Sequence, residues 1–342
     1  MGSANLRLGI VGCGAVVRQY HLPALTQIPQ VRTTVLCDKK RANALRLKRQ
    51  FGLSAEITDD VANLVGKVEA ALVAVPPRFH ASVTIELLRQ GIDVLCEKPL
   101  ALTVAEAEEM VRVAREEKRI LAVGLMTRFH NNNWLVRDLL TEGRLGEIEE
   151  IIAEYGAPLN WEISEASYYK QGNAGHGVFF DTGVHLLDRL IWIFGELRGF
   201  EYMDDSYGGC ESNAILKGYF EINGNRVPCR LAVSWTHFLN NSIQVLGKEG
   251  LAELKWKEPN TVFLKRYLKD QLVECMLRRA GRPPVEKSTD IFCVQLKDFI
   301  EAVSLPREPF VSAVSSLPAL KVIEKAYSIR KRIAQPWVET PL

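Results

Sequence analysis

Two short runs of this chain carry residue types that can move a proton. In the first, the apolar Val94-Leu95-Cys96 leads into Glu97-Lys98-Pro99-Leu100, placing an acid and a base where the run stops. In the second, Asp181, His185 and Asp188 come after Gly175-His176-Gly177-Val178-Phe179-Phe180 at offsets i, i+4 and i+7. On a helix those offsets share one face, and Val184, Leu187, Leu190 and Ile191 supply an apolar face opposite. A lysine ammonium can stabilise negative charge developing on an oxygen. An imidazole titrates near pH ~6.5, close to what a proton shuttle needs, and a neighbouring carboxylate orients it and favours its charged form. Each run also has a purely structural reading: a charged strand end for Glu97 and Lys98, and a core histidine capped by two acids for His185.

The elements that must position these groups can be read from pattern. Val94 to Cys96 read as a strand covered on both faces, and Pro99, with no N–H to give a ladder, ends it at Lys98. Ligands of open α/β sheets bind beyond the carboxyl ends of the strands, so Lys98 points a cation at that crevice. Upstream, the strand Leu6 to Val11 runs into Gly12-Cys13-Gly14-Ala15-Val16-Val17 and a helix. That order suits a pyrophosphate: a sharp turn at Gly12, close approach at Gly14, and helix N-terminal amides over Ala15 and Val16. A second strand, Thr33 to Cys37, ends in Asp38, whose carboxylate can accept hydrogen bonds from a ribose 2′-OH and repels a 2′-phosphate. Asp38 therefore favours NAD, while Lys39, Lys40 and Arg41 leave NADP open. Asp38 could equally cap the helix Arg41 to Phe51.

The alternation continues through the strand Ala70 to Val75, the rigid exit Pro76-Pro77-Arg78-Phe79-His80, the helix Ala81 to Gln90, the Lys98 strand, the helix Val104 to Glu117 and the strand Ile120 to Leu125. Repeated βα units predict a doubly wound parallel sheet in residues 1–125. Met126 to Asn133 reads as a polar crossing into a second domain, 126–342, where strands dominate: Ile148 to Tyr155, Ala214 to Glu221, Val227 to Thr236, Ser242 to Leu246, Ala252 to Leu254 and Thr261 to Leu264. Short turns such as Asn223-Gly224-Asn225 predict an open, mostly antiparallel sheet. Helices are expected over Ile291 to Val303 and Ser316 to Ile333, after a basic loop from Arg278 to Pro284.

Composition narrows the function classes. The 342 residues are 47% hydrophobic and 25% charged, with a net charge of +2 and both signs interspersed. That is an ordinary globular balance with no footprint for nucleic acid or a membrane surface. The seven cysteines are scattered with no C-x-x-C pair, and no apolar run is long enough to span a bilayer. A cytoplasmic, metal-free protein is expected.

Taken together, Gly12-Cys13-Gly14, Asp38, Pro76-Pro77-x-x-His80, Glu97-Lys98-Pro99 and Asp181-x-x-x-His185 resemble the Gfo/Idh/MocA family of NAD(P)-dependent oxidoreductases. Ile243 to Gly250 and Gln295 to Ala302 resemble its second-domain strand turn and late helix. The resemblance implies a Rossmann domain followed by an α/β domain whose sheet builds homodimers or homotetramers. It implies Gly12, Cys13, Gly14, Ala15, Val16, Asp38, Lys39, Pro76, His80, Glu97 and Lys98 at the cofactor, and catalysis by Lys98, Asp181 and His185. Val17 departs from the usual Ala or Gly, His176 stands inside a glycine-rich run, and Met126-Thr127 stands where an Asn-Arg pair is common.

Under that resemblance the expected reaction is hydride exchange between nicotinamide C4 and a sugar or cyclitol carbinol, with either His185 or Lys98 as the acid/base and Asp181 orienting the imidazole. Redox-neutral glycoside cleavage or epimerisation on the same scaffold, and a non-catalytic dinucleotide sensor, are the alternatives. Trp161, Tyr168, Tyr169, Asn173 and His176 form a loop whose aromatic faces and amides suit a polyhydroxylated ring, and Arg128 is a further expected substrate contact.

Overall fold

Buried strands need apolar side chains on both faces, and of the six strands in the first 125 residues Ala70–Val73, Asp93–Cys96 and Leu121–Val123 are buried throughout. The computed structural model describes residues 5–160, 177–206, 210–268, 271–279 and 285–333. Strands β1 (Leu6–Val11), β2 (Val31–Cys37), β3 (Glu56–Thr58), β4 (Ala70–Val73), β5 (Asp93–Cys96) and β6 (Leu121–Val123) form a parallel sheet of order β3-β2-β1-β4-β5-β6. Between them run α1 (Leu22–Leu25), α2 (Arg41–Gln50), α3 (His80–Arg89) and α4 (Val104–Glu116), the last begun by a reciprocal capping box of Thr103 and Glu106. Chain order reverses between β1 and β4, the switch point at which open sheets of this kind hold a dinucleotide.

Gly12 makes that switch point possible. Its φ is +94°, and a Cβ there would stand 2.3 Å from the Ala74 carbonyl oxygen. Only glycine tolerates both. Gly14, two residues on, has nothing within 4 Å of a Cβ position.

The second half begins with α5 (Asn131–Thr141), β7 (Ile148–Gly156) and α6 (Val184–Phe194). After these come β8 (Arg198–Asp204), β9 (Asn213–Ile222), β10 (Asn225–Ser234), β11 (Ser242–Gly247), β12 (Gly250–Lys255), β13 (Thr261–Leu268) and β14 (Gln271–Arg278), then α7 (Ser288–Ser304), α8 (Ala313–Ser328) and β15 (Lys331–Arg332). The second sheet runs β14-β13-β12-β11-β7-β10-β9-β8-β15, antiparallel except where β10 lies parallel to β7 and β15 to β8. Asn223 and Gly224 both have positive φ, as the tight β9–β10 hairpin requires.

The expected mostly antiparallel sheet is present, with three strands the sequence pattern did not reveal. β8 mixes exposed and buried positions without strict alternation, β14 is exposed almost throughout, and β15 has two residues. None offers a clean apolar face to read. The run Asn131-Asn132-Asn133, expected to be a polar crossing, instead opens α5 fully buried, because every amide has a partner. Asn131 donates to Asn260, Asn132 to the Glu258 carbonyl, and Asn133 to the Thr127 and Arg128 carbonyls.

The chain divides into two compact units, and a segment far along the chain belongs to the first of them. One unit contains the parallel sheet through Met126 and also Lys287–Leu317; the other contains the nine-stranded sheet and the residues from Pro318 on. A division into 1–125 and 126–342 misses this return. It arises because Phe292 of α7 stacks on Tyr20, Gln295 donates to the Val123 carbonyl, and Val123 N–H donates to Val311 beside a bridge from Ala122 to Ser312. Among the described residues no helix is long and apolar enough to cross a membrane.

The two glycines of the first turn should separate in a stability measurement. Gly12→Ala is expected to lower the urea-unfolding free energy by roughly 1–3 kcal/mol, the cost of a strained backbone residue, whereas Gly14→Ala leaves it nearly unchanged. Equal effects at both positions would contradict the role given to Gly12.

Candidate active site

In the first unit the glycine turn is closed by Asp38. Its Oδ2 accepts the Cys13 N–H at 2.8 Å and its Oδ1 the Lys40 N–H at 2.7 Å, with the Asn43 amide 3.3 Å from both oxygens. The carboxylate thus ties the end of β1 to the start of α2 and remains half-exposed at the carboxyl edge of the sheet. Ala15 and Val16 begin a helical segment that widens into a π-turn over Val17–His21 before α1. Gly14's open approach, the helix start and a half-exposed acid after β2 fit a dinucleotide. Cys13 contributes no side chain to it, since its thiol is buried and its N–H is taken by Asp38. Burial also pushes the thiol pKa up, so it stays protonated. Lys39 is exposed, and Pro76 is an exposed wall after β4.

His80 does not face outward. It is buried with Nδ1 2.7 Å from the Pro99 carbonyl and Nε2 2.9 Å from the Val75 carbonyl, which ties the β4 exit to the loop after Lys98. Burial pushes its pKa down. Lys98 is half-exposed just past β5, in the position expected of it. Its neighbour Glu97 turns inward, 7% exposed, with Oε1 2.6 Å from His21 Nε2 and Oε2 accepting the Lys98 N–H at 3.1 Å. Burial alone would raise the Glu97 pKa; the hydrogen bond from His21, with the charge and backbone N–H of Lys98, holds it below the ordinary value.

In the second unit the start of the His185 helix is set by Glu211, a buried acid with no signal in the sequence. Its carboxylate accepts the N–H groups of Gly177 and Phe179 at 3.0 Å each and the Tyr327 hydroxyl at 2.7 Å. A Cβ at Gly177 would lie 1.9 Å from the Glu211 carbonyl oxygen, so this close approach requires glycine. Burial raises the Glu211 pKa against these donors.

Asp181 then falls within a π-turn, Phe179–Gly183, and regular helix begins only at Val184. Counting α-helical offsets from Asp181 therefore misplaces the side chains beyond it. Asp188 does not belong with the histidine: its oxygens receive a fork from Arg128, Nε at 2.9 Å and Nη2 to the second oxygen. Burial pushes the Asp188 pKa up, opposed by Arg128 and Arg189.

His185 itself is buried, with Nδ1 3.4 Å from Thr127 Oγ1 and its ring edge-on to Trp256 at 6.2 Å. Trp256 also meets His130 edge-on and carries the Arg189 guanidinium over its ring. Arg189 is fully buried, donating to Asn133 at 2.8 Å and Asn132 at 3.2 Å, and burial pushes its pKa down to about 9. Burial and the Arg189 charge push His130 well below the usual imidazole range, so it is neutral.

The sequence profile of an oxidoreductase family with an NAD-binding Rossmann fold, GFO_IDH_MocA, matches residues 6–125, and that of the GFO/IDH/MocA C-terminal domain matches residues 134–253. The dTDP-3,4-didehydro-2,6-dideoxy-alpha-D-glucose 3-reductase of Actinomadura kijaniata is 31% identical over 329 residues, 93% of this chain and 94% of the reductase. The chain belongs to the Gfo/Idh/MocA family of oxidoreductases. The Escherichia coli D-glucoside 3-dehydrogenase is 30% identical over 201 residues, 57% of this chain and 56% of that enzyme, so this chain spans little more than half of it. In fold, the chain resembles the crystal structure of a 3-ketoreductase from Actinomadura kijaniata in complex with NADP and TDP-benzene. That likeness has a TM-score of 0.81 at 23% identity and covers 97% of this chain and 99% of the other. It resembles levoglucosan dehydrogenase with NADH and levoglucosan equally well, with a TM-score of 0.81 at 17% identity over 95% and 98% of the two chains.

Within this Gfo/Idh/MocA chain three expected roles change. Arg128, 2% exposed, is held in a fork to Asp188 and presents almost no surface to a substrate. The Glu97 carboxylate serves His21 and the Lys98 backbone, and the His80 ring serves two backbone carbonyls. Trp161, Tyr168, Tyr169, Asn173 and His176 lie outside the described residues. His21, Glu211 and Trp256 escaped the sequence reading because their partners are distant in the chain; His21 had the one usable signal, a histidine directly after the glycine turn and helix start.

Asp188→Asn leaves the Arg128 guanidinium buried without its counter-charge and should cost about 3–5 kcal/mol in urea unfolding. A loss near zero would mean that the fork does not hold this region together. For Glu97, the folded-state pKa lies below the unfolded value of about 4.3, so its contribution is complete above that pH and is lost as pH falls through the folded value. Unfolding free energies measured across about pH 3 to 6 should therefore fall less steeply on acidification in Glu97→Gln than in the wild type, and an unchanged slope would rule this contribution out.

Proposed function

We propose that this family member exchanges a hydride between a bound nicotinamide and a ring carbinol of a sugar or sugar derivative. The observation that carries the reading is Lys98, a lysine presented at the carboxyl edge of a parallel sheet whose β1/β4 switch point fits a dinucleotide through Gly12, Gly14 and Asp38. The two relatives named as acting on glucosides and on a deoxy-sugar nucleotide support the substrate class. When bound, the nicotinamide supplies the hydride chemistry.

The chain supplies position and a proton path. Gly14 and the amides over Ala15 and Val16 would hold the pyrophosphate, Asp38 the ribose, and Pro76 a wall of the cleft. NAD is the proposed cofactor, because a carboxylate at the end of β2 repels a 2′-phosphate, although one relative of similar fold carries NADP. Lys98 donates a hydrogen bond to the reacting oxygen and stabilises alkoxide charge. His185 takes the hydroxyl proton, held in place by Thr127 and Trp256, with Asp181 on the preceding turn.

We also propose a homodimer or homotetramer built on the second sheet, supported by Leu272, Val273 and Met276, large apolar residues left exposed on the edge strand β14. We also propose a reducing, cytoplasmic setting, supported by cysteines scattered along the chain, of which Cys13, Cys37, Cys96, Cys229 and Cys293 are buried as small core residues.

The test is nicotinamide absorbance with NAD, and separately with NADP, as the purified protein meets a panel of sugars, cyclitols and nucleotide sugars. Turnover with NAD is expected on at least one, falling by about 10²-fold or more in His185→Asn and disappearing in Lys98→Ala. Unchanged turnover in His185→Asn moves the proton role to Lys98. Cofactor binding with no absorbance change on any substrate would overturn net redox chemistry and favour a redox-neutral enzyme or a sensor.

A further inference from the structure

Among the described residues of the first unit, the pair His21 and Glu97 is the most enclosed ion-pair contact that the proposed chemistry does not use. His21 has no exposed surface and ends the π-turn that succeeds the glycine turn; Glu97 comes directly after β5. Nε2 and Oε1 are 2.6 Å apart across 76 residues of chain. The other Glu97 oxygen accepts the Lys98 N–H, and Gly124 leaves room for it: a Cβ there would lie 2.8 Å from Oε2 and 3.0 Å from the Glu97 Cα. Phe292 closes the far side, edge-on to the His21 ring at 4.9 Å. The carboxylate therefore joins the helix start over the dinucleotide turn to the backbone of Lys98.

The hydrogen-bond network assigns the tautomer. His21 Nδ1 is buried and has no partner. A proton there would be an unsatisfied buried donor, whereas a bare lone pair costs less, so Nε2 carries the only ring proton and donates it to an ionised Glu97. One negative charge is left beside Lys98.

We infer that His21 is a positioning residue for Lys98, acting through Glu97: among the described residues it supplies the one side-chain donor to this buried carboxylate, whose other oxygen accepts the Lys98 backbone N–H. The inference rests on the reading of Lys98 as the group at the reacting oxygen. The titratable or charged groups facing Glu97 among the described residues are His21, Lys98, His80 and Cys96. Without His21, burial dominates and the carboxyl takes up a proton at higher pH.

Three readouts on the full chain test it. In wild-type protein labelled with ¹⁵N-histidine, the resonance that vanishes in His21→Gln should report a protonated Nε2 and a bare Nδ1 at neutral pH; a doubly protonated ring or the opposite tautomer overturns the assignment. Because no turnover is needed, this measurement stands even if the sugar oxidoreductase reading fails. With a substrate in hand, His21→Ala should lower kcat by up to about 10²-fold, the scale of a misplaced reacting group. NAD binding should stay within about twofold, because the dinucleotide turn is held by Asp38. The acid limb of the His21→Ala activity profile should move to higher pH. His21→Gln, whose side-chain amide can still donate to Glu97, should recover most of kcat and return that limb. An unchanged kcat in His21→Ala, or equal loss of kcat and NAD binding in both variants, overturns the proposal.

Discussion

A carboxylate withdrawn from water must be given donors, and much of this structure's long-range order depends on where those donors come from. Glu97 receives His21 from 76 residues away, Asp188 receives Arg128 from 60, and Glu211 receives the Gly177 amide from 34 and Tyr327 from 116. An ionised acid left without such partners in a protein interior would neutralise or force the interior open. Each of these acids therefore fixes at least two separate segments together. The segments so fixed are the ones that carry Lys98 and His185.

The second constraint is backbone geometry. Gly12 and Gly177 each sit where a Cβ would collide with a carbonyl oxygen, at Ala74 and Glu211 respectively. Each precedes a π-turn, Val17–His21 in one unit and Phe179–Gly183 in the other. A π-turn inserts one residue into the helical repeat and rotates the side chains beyond it by about 100° relative to an unbroken α-helix. In the first unit the turn ends on the histidine that reaches Glu97. In the second it carries Asp181 and delivers His185 to Thr127 and Trp256, while Asp188 is turned toward Arg128.

Around His185 the interior is polar yet nearly free of mobile charge. His130 is neutral, Arg189 is shared between two asparagines and the face of Trp256, and Arg128 and Asp188 cancel one another. An imidazole in such surroundings keeps its orientation, because each neighbour is already committed. The lysine of the first unit is managed differently: its backbone is pinned by an ionised acid while its side chain stays half-exposed.

What the sequence by itself determined was whatever depends on residues a few positions apart. The apolar runs of β1, β2, β4, β5 and β6, the glycine turn, Asp38 after β2, the stop at Pro99 and the Asn223-Gly224 hairpin all come from local sterics and periodicity. With the family resemblance, they made the parallel sheet, the open mixed sheet and the position of Lys98 legible. Tertiary structure alone decided which partner each buried polar group takes. It drew Arg128 and Asp188 out of the expected site, buried three consecutive asparagines, paired His21 with Glu97, set Glu211 at the head of the His185 helix and returned residues 287–317 to the first unit. The physical reason is range: backbone dihedrals and alternation are settled by neighbours, but a desolvated charge is satisfied by whatever donor the completed fold brings within hydrogen-bond reach, and no spacing in the chain records that choice.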